Sequence, residues 1–155
     1  MRNFPGLNET QRRDIAQSLC RVMADTDTLY FKTHAFHWDV EGPKFHGLHN
    51  LFESQYREMW NAIDSIAERI RALGNVAPGS YAQLMRLSTV REQTEVPSAD
   101  AMMGELTDGH EIVMATIRTV LVTAQDAWDE ATVGILAARL EVHDKAAWML
   151  STQAA

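Results

Sequence analysis

The pattern of apolar and polar positions predicts a chain built from α-helices. Apolar side chains recur at spacings of three and four residues along most of the sequence, whereas the alternation of a β-strand and the turn pairs of a hairpin are absent. Asn8, with Gln11 three residues later, has the sequence of a helix N-cap, so helix A is predicted over about 8–37.

A second long helix follows a clear break in this pattern. Gly42-Pro43 interrupts the helical spacing, and helix B is predicted over about 44–73, where Gly74 is suited to end it. Residues 75–96 then form a long connection, and the apolar run at 81–87 predicts a short helix within it.

The second half of the chain predicts two more long helices. Ser98 is suited to cap helix C, predicted over about 98–124, and helix D is predicted over about 130–151 after a break at 125–129. Four long helices with one long connection between B and C are typical of a four-helix bundle with a crossover, of which the ferritin-like bundle is one variant. A cytokine-type bundle has two long crossovers and fits less well.

Composition narrows the class of protein. The chain has 155 residues, 46% of them hydrophobic, and a formal net charge of −7 at pH 7. We expect one domain over 1–155, with a short tail at 1–7 and the bundle at about 8–151. The composition excludes collagen-like, disordered and disulfide-rich proteins. The single cysteine, Cys20, favours a reducing compartment, and no signal peptide or membrane span is recognised, so a cytoplasmic protein is predicted.

Helix B carries a polar stripe beside its apolar one. At about 100° per residue, four potential metal ligands lie within about 100° of arc; they are His49, Glu53, Asp64 and Glu68. Tyr56 and Trp60 fall in the same arc, and the stripe is expected to carry no Lys or Arg. Imidazole mixed with carboxylates suits iron, manganese or zinc. The alternative is a solvated face with an ordinary ion pair one turn apart.

The spacing along helix B indicates where a metal could bind. Glu53 and Asp64 are eleven residues apart, or about 16 Å along the axis, so one helix cannot place both on one metal. If two copies of helix B pack antiparallel across a two-fold axis, one end of each stripe faces the other end of its mate. The sequence therefore predicts an intersubunit metal site, with Tyr56 and Trp60 in the middle of the interface.

Several runs of the sequence resemble the Dps family (DNA-binding proteins from starved cells), the small dodecameric ferritins. A His37-Trp38 pair is followed after twelve residues by His49, and then by carboxylates four, fifteen and nineteen residues further on. The likeness is most specific over 32–74, extends to 141–150, and covers essentially the whole chain.

The resemblance implies a ligand set and a reaction. Five residues match the family's ferroxidase ligands: His37, His49 and Glu53 of one subunit, with Asp64 and Glu68 of its two-fold mate. The implied enzyme oxidises Fe2+ to Fe3+, preferably with hydrogen peroxide and otherwise with dioxygen, and thereby limits oxidative damage. The implied assembly is a homo-dodecamer built from two-fold dimers, which stores a ferric mineral core. Zinc or another divalent metal is an alternative occupant of the site.

Three neighbours of these residues have open roles. His34 and His46 are either accessory ligands or partly exposed helix histidines, and the second is the default. Trp38 either packs beside the site or donates electrons, and packing is the default.

Acidic residues cluster at the break between helices C and D. In the family this region lines pores through which iron enters, so Asp126, Asp129 and Glu130 are candidates for a pore lining. The alternative is an acidic loop whose charges stabilise the start of helix D. Trp128 departs from the small residue common at its position in the family.

Binding to DNA is the family's other activity, and it defines the rival function of a nucleoid-associated, DNA-compacting protein with a secondary metal site. The chain has three lysines and an uncharged C-terminus at 151–155, and twelve copies would carry a formal charge of about −84. Repulsion from DNA is expected, so direct DNA binding is not favoured. No membrane partner is predicted. A metal-binding module that stops at the dimer is a third hypothesis.

Overall fold

Five α-helices make up the fold of the computed structural model, which describes residues 2–154. They are α1 (Glu9–Asp39), α2 (Phe45–Ala72), α3 (Tyr81–Leu87), α4 (Ala99–Asp126) and α5 (Glu130–Gln153), and these described residues contain no β-strand. The four long helices form a bundle in which α1 packs on α2 and α4, and α4 packs on α5, while α3 lies in the crossover between α2 and α4. The predicted all-α four-helix bundle with a short helix in its long connection is confirmed.

The ends of the helices follow local capping. Asn8 Oδ1 accepts a hydrogen bond from the Gln11 backbone N–H at 2.8 Å, and the Gln11 side chain accepts one from the Asn8 N–H at 3.0 Å, which is the predicted capping box. Ser98 caps α4 as predicted. Gly74 follows the end of α2 with a φ of 85°.

The predicted ends of three helices were too early. α1 continues to Asp39, α4 to Asp126 and α5 to Gln153, each two residues beyond its predicted limit. The backbone hydrogen-bond ladder persists until the chain leaves the helical conformation; after α1 this happens at Val40, which is extended with a φ of −63° and a ψ of 137°. None of the helices within residues 2–154 combines the length and apolarity that crossing a membrane requires.

The crossover is anchored to the bundle by one buried carboxylate. Asp25 on α1 is fully buried and accepts hydrogen bonds from the Thr89 hydroxyl at 2.9 Å and the Thr116 hydroxyl at 2.6 Å, together with the Thr89 backbone N–H. Because these donors belong to the crossover and to α4, the carboxylate connects three parts of the chain and compensates for its own burial.

Arginines hold α2 against α5. Arg139 on α5 donates to Glu58 on α2 through both terminal nitrogens, at 2.9 Å for Nη2–Oε1. Near the other end of α2, Arg69 donates to Asp129 at 2.8 Å and to the Thr132 hydroxyl at 3.0 Å. We call these two contacts the Arg139 clamp and the Arg69 clamp. They fix α2, which carries four of the five predicted ligands, relative to α5.

The Arg139 clamp continues into the centre of the bundle. Arg139 Nη2 lies 3.2 Å from His143 Nε2, and His143 Nδ1 lies 2.8 Å from His110 Nδ1. Since a guanidinium only donates, His143 accepts at Nε2 and donates its Nδ1–H to His110. Burial, together with the neighbouring arginine charge, lowers the pKa of His110 to about 3 and that of His143 to about 2, so both rings are neutral near pH 7.

Candidate metal centre

Two predicted ligands, His37 and His49, lie side by side where α1 ends and α2 begins. Their rings are stacked with centroids 3.8 Å apart. The Nδ1 of each ring lies 2.7 Å from the backbone carbonyl oxygen of the other residue. Because a carbonyl oxygen only accepts, both Nδ1 atoms carry a proton, so in a neutral ring Nε2 is the atom whose lone pair can bind a metal.

Glu53 brings a carboxylate to this pair. It lies one helical turn after His49, and its Oε1 is 3.7 Å from His37 Nε2. His37 is 7% exposed whereas the Glu53 side chain is 42% exposed. The histidine side of the cluster is therefore buried, and the carboxylate side is open to solvent. The structure therefore brings three of the five predicted residues to one end of α2.

The remaining two predicted ligands lie elsewhere on the protomer. Asp64 and Glu68 are exposed on α2, about 16 Å and about 22 Å beyond Glu53 at the rise of an α-helix. Within residues 2–154 of a single chain, no three His, Cys, Asp or Glu side chains lie close enough to hold a metal ion. The role of all five as one ligand set stays a prediction that needs a second copy of the chain.

One basic residue lies on the stripe where none was expected. Arg57, four residues after Glu53, places its Nε 3.4 Å from Glu53 Oε2. The Arg57 side chain is 65% exposed, so the pair is weak and the arginine is free to swing away from the carboxylate. The expectation of a stripe without Lys or Arg was wrong at this position.

An aromatic cluster supports the floor of the site. Tyr56 is 8% exposed and stacks on His34 with ring centroids 3.8 Å apart, and the Tyr30 hydroxyl lies 3.1 Å from His34 Nδ1. Tyr56 is therefore packed inside the protomer, and its predicted place in the middle of an interface was wrong. Trp60 is 62% exposed and packs against Tyr30, so its predicted interface role stays open.

The contacts of His34, Trp38 and His46 favour packing or partial exposure over a role as metal ligand or electron donor. Burial lowers the pKa of His34, and its ring lies between the rings of Tyr56 and Trp38. Trp38 packs on His34 at 4.4 Å while staying largely exposed. His46 is exposed and meets the side-chain amide of Asn50 at 3.3 Å.

Comparison with known proteins places this geometry in a family. A model of the ferritin-like domain family matches residues 16–155. A low-temperature-induced protein of Nostoc is 37% identical over 147 residues, covering 94% of this chain and 82% of its own. The DNA protection during starvation protein of Porphyromonas gingivalis is 32% identical, covering 96% and 94%.

The chain belongs to the Dps family of ferritin-like proteins.

A solved structure extends this likeness to three dimensions. The Dps protein of Vibrio cholerae O1 superimposes with a TM-score of 0.92 at 29% identity, covering 97% of this chain and 95% of its own, and it is described as a ferritin-like diiron-carboxylate protein. The ferritin-like variant of the predicted bundle is thus confirmed. At the level of the family, membership implies iron binding, iron storage and oxidation of Fe(II).

The corner between α4 and α5 differs from the predicted pore lining. Asp129 is 4% exposed, accepts the Thr132 N–H that opens α5, and pairs with Arg69. Burial alone would raise the pKa of Asp129, but hydrogen bonds from Thr132 and Arg69 outweigh it and hold that pKa below its usual value. Asp129 is therefore a helix cap, and its predicted place in a pore was wrong because the carboxylate faces the protein interior. Asp126 and Glu130 are exposed, and their pore role stays a prediction.

Proposed function

We propose that this protein oxidises Fe(II), with hydrogen peroxide as the preferred oxidant, and stores the ferric product inside a hollow homo-dodecamer in the cytoplasm. The observation that carries the proposal is the reciprocal hydrogen bonding of His37 and His49. It leaves the Nε2 atom of each neutral ring to face a metal, and the partly exposed Glu53 carboxylate lies 3.7 Å from His37 Nε2. Iron enters this scheme as the substrate.

The donor set suits Fe(II). Neutral imidazole nitrogens and carboxylate oxygens are the ligands that bind this ion, and an open site leaves room for an oxidant. The hydrogen bonds at Nδ1 fix the orientation of both rings, so neither histidine has to rotate when iron arrives. Arg57 opposes iron binding, because the incoming cation has to displace its guanidinium from Glu53.

A second copy of α2 would complete the site. When two α2 helices run antiparallel across a two-fold axis, Asp64 and Glu68 of one copy lie opposite His49 and Glu53 of the other. Each dimer then has two equivalent sites. The added carboxylates supply negative charge, which stabilises Fe(III) more than Fe(II) and favours the oxidation.

The proposed reaction balances without a further reductant. Two Fe(II) each lose one electron, hydrogen peroxide takes both electrons and two protons, the O–O bond breaks, and two Fe(III) and two water molecules result. Because both electrons go to one peroxide molecule, no hydroxyl radical is released.

Removal of the carboxylates tests the site. The double variant Glu53→Ala, Asp64→Ala should lose Fe(II) oxidation followed at the ferric absorption band, whereas Glu111→Ala, which removes an exposed carboxylate of α4, should keep the wild-type rate. Wild-type rates in the double variant would show that the assignment is wrong.

Complementation tests the intersubunit arrangement. One variant carries His49→Ala and Glu53→Ala, and the other carries Asp64→Ala and Glu68→Ala; each alone should be inactive. When the two are unfolded together and refolded, half of the dimers are mixed and each has one intact site, so about a quarter of the wild-type activity should return. No recovery from correctly assembled mixed dimers would place the ligands within single chains.

A DNA-compacting function is the second candidate, because the Porphyromonas relative is named for DNA protection. The formal charge of −7 per chain opposes it. A gel-shift assay at low salt decides between them: a shift would support DNA binding, and its absence would remove this candidate under those conditions.

A further inference from the structure

Arg57 holds the carboxylate that the metal centre needs. It lies one helical turn after Glu53 on α2, and its Nε is 3.4 Å from Glu53 Oε2, while the other carboxylate oxygen, Oε1, is 3.7 Å from His37 Nε2. The carboxylate thus lies between an imidazole and a guanidinium. In the separate protomer, a positive charge from the chain itself already neutralises the group that a metal cation would bind.

The ion pair between Arg57 and Glu53 opens easily. The Arg57 side chain is 65% exposed, and exposed ion pairs contribute little to stability. The Arg57 Cζ atom also lies 5.4 Å from the centroid of the Tyr56 ring, so the guanidinium already has an aromatic contact. Because a guanidinium is weakly hydrated and stacks well on aromatic rings, Arg57 can exchange Glu53 for an aromatic partner within its reach.

The proposed antiparallel pairing of two α2 helices determines what Arg57 meets in a second copy. If Glu53 of one copy lies opposite Asp64 of the other, the midpoint of the pairing falls between residues 58 and 59. Arg57 precedes this midpoint by as much as Trp60 follows it. Arg57 of each copy therefore lies opposite Trp60 of the other, close to the two-fold axis.

Trp60 is suited to receive the guanidinium. It is 62% exposed, although its ring packs on Tyr30, and at about 100° per residue it lies in the same arc of α2 as Glu53 and Arg57. Among aromatic side chains, an indole attracts a cation most strongly, and the attraction grows where water is excluded, as it would be at an interface. The guanidinium needs such a partner there, because the two-fold axis also brings the Arg57 residues of both copies close together.

We propose that Arg57 gates the metal centre. In the separate protomer it masks the Glu53 carboxylate; in the dimer its guanidinium moves to the indole of Trp60 in the second copy, and Glu53 is released to bind iron. Once iron is bound, Glu53 and the facing Asp64 are both occupied, which leaves the indole as the partner of Arg57. The gate favours iron binding at sites that two chains have completed over sites on single chains. The inference rests on the proposed function, because it assumes the intersubunit site.

Anaerobic Fe(II) binding, measured by isothermal titration calorimetry, tests the gate without any oxidation step. Arg57→Gln should bind Fe(II) about two- to fivefold more tightly than the wild type, because the masking charge is gone. Trp60→Ala should bind about two- to fivefold more weakly, because the guanidinium returns to Glu53. Arg57→Lys keeps the charge and should stay close to the wild type. Arg118→Gln, which removes an exposed arginine of α4, should leave Fe(II) binding unchanged.

The variant that combines both substitutions decides whether Trp60 acts through Arg57. If it does, adding Trp60→Ala to Arg57→Gln should leave the Fe(II) affinity of Arg57→Gln unchanged. Sedimentation identifies a protein concentration at which all the variants are assembled to the same extent, and the titrations are compared there. An equal loss of affinity from Trp60→Ala in both backgrounds would overturn the proposal, as would an Arg57→Gln variant that binds Fe(II) no more tightly than the wild type.

The same proteins separate this inference from the proposed function. A wild type that binds Fe(II) without oxidising it would refute the proposed function, while non-additive effects of the two substitutions on binding would still support the gate. A wild type that oxidises Fe(II), combined with additive effects of the two substitutions, would overturn the gate alone. A wild type that binds no Fe(II) would refute both.

Discussion

Lowering the pH from 7 to 5 should destabilise the bundle through its buried histidine pair. The folded state keeps His110 and His143 neutral, with pKa values of about 3 and about 2, whereas in the unfolded chain each has a pKa near 6.5. Their contribution to stability is complete above pH 6.5 and is lost as the pH falls below it, because the unfolded chain then binds protons that the folded chain does not. The loss continues until the folded rings themselves titrate near pH 3.

The magnitude at pH 5 depends little on the exact folded pKa values. Each histidine loses about 2 kcal/mol between pH 6.5 and pH 5, because one pH unit corresponds to about 1.4 kcal/mol per proton. The pair therefore removes about 4 kcal/mol, a large share of the 5–15 kcal/mol that is typical of folded proteins.

A non-titrating variant isolates this effect. His143→Gln keeps an acceptor for Arg139, His110→Asn keeps a hydrogen-bonding side chain at the centre of the bundle, and neither new side chain titrates. Urea unfolding at fixed protein concentration, followed by circular dichroism from pH 7 to 5, gives the slope of the free energy of unfolding against pH. Near pH 5 the free energy of unfolding should depend more steeply on pH in the wild type than in the double variant, by an amount that corresponds to about two protons. Equal slopes in both proteins would refute the reasoning.

Three further predictions follow from the packing and the caps. Gly109→Ala would place a Cβ 2.5 Å from Leu29 Cδ1, so it should destabilise the bundle by about 1–3 kcal/mol. In Gly104→Ala the new Cβ meets nothing within 4 Å, so this variant should be neutral or stabilising by up to about 1 kcal/mol. Thermal unfolding of the two variants distinguishes these outcomes. Asp25→Ala should cost at least about 2 kcal/mol by urea unfolding and speed amide exchange in the crossover, because it leaves buried donors unpaired. Asn8→Ala should cost about 1 kcal/mol through loss of the capping box, and unchanged stability would show that this helix end is frayed.

Much of the fold follows from short-range patterns in the sequence. The capping box at Asn8, the short helix at 81–87 and the positive φ after α2 are local, because each depends on residues within one or two helical turns. The late ends of three helices show the limit of this approach. No residue breaks the backbone ladder at the predicted ends, so each helix continues until an extended residue or a turn ends it.

The candidate site was predictable only in part. Helical spacing puts His49 and Glu53 on one face, but the locking of His37 depends on carbonyl groups exchanged between two helices, which spacing does not reveal. The burial of Tyr56 depends on a ring contributed by α1. His110 could have been suspected, since it lies at helical spacing among buried apolar residues of α4, yet its pairing with α5 needs the tertiary fold.

The proposed metal centre depends on how two subunits meet. Two of the five proposed ligands, Asp64 and Glu68, would come from a second copy, so any contact that sets the relative position of two copies would also set the distances between ligands. Glu68 is followed directly by Arg69, whose clamp supports both the C-terminal end of α2 and the corner that presents Trp128. A displacement at that corner would therefore reach Glu68 through one rigid connection. On this reasoning Arg69→Leu should weaken Fe(II) binding, whereas Arg71→Leu, which removes an exposed guanidinium near the same end of α2, should leave it intact. Equal Fe(II) binding in both variants would show that the corner and the metal centre are independent.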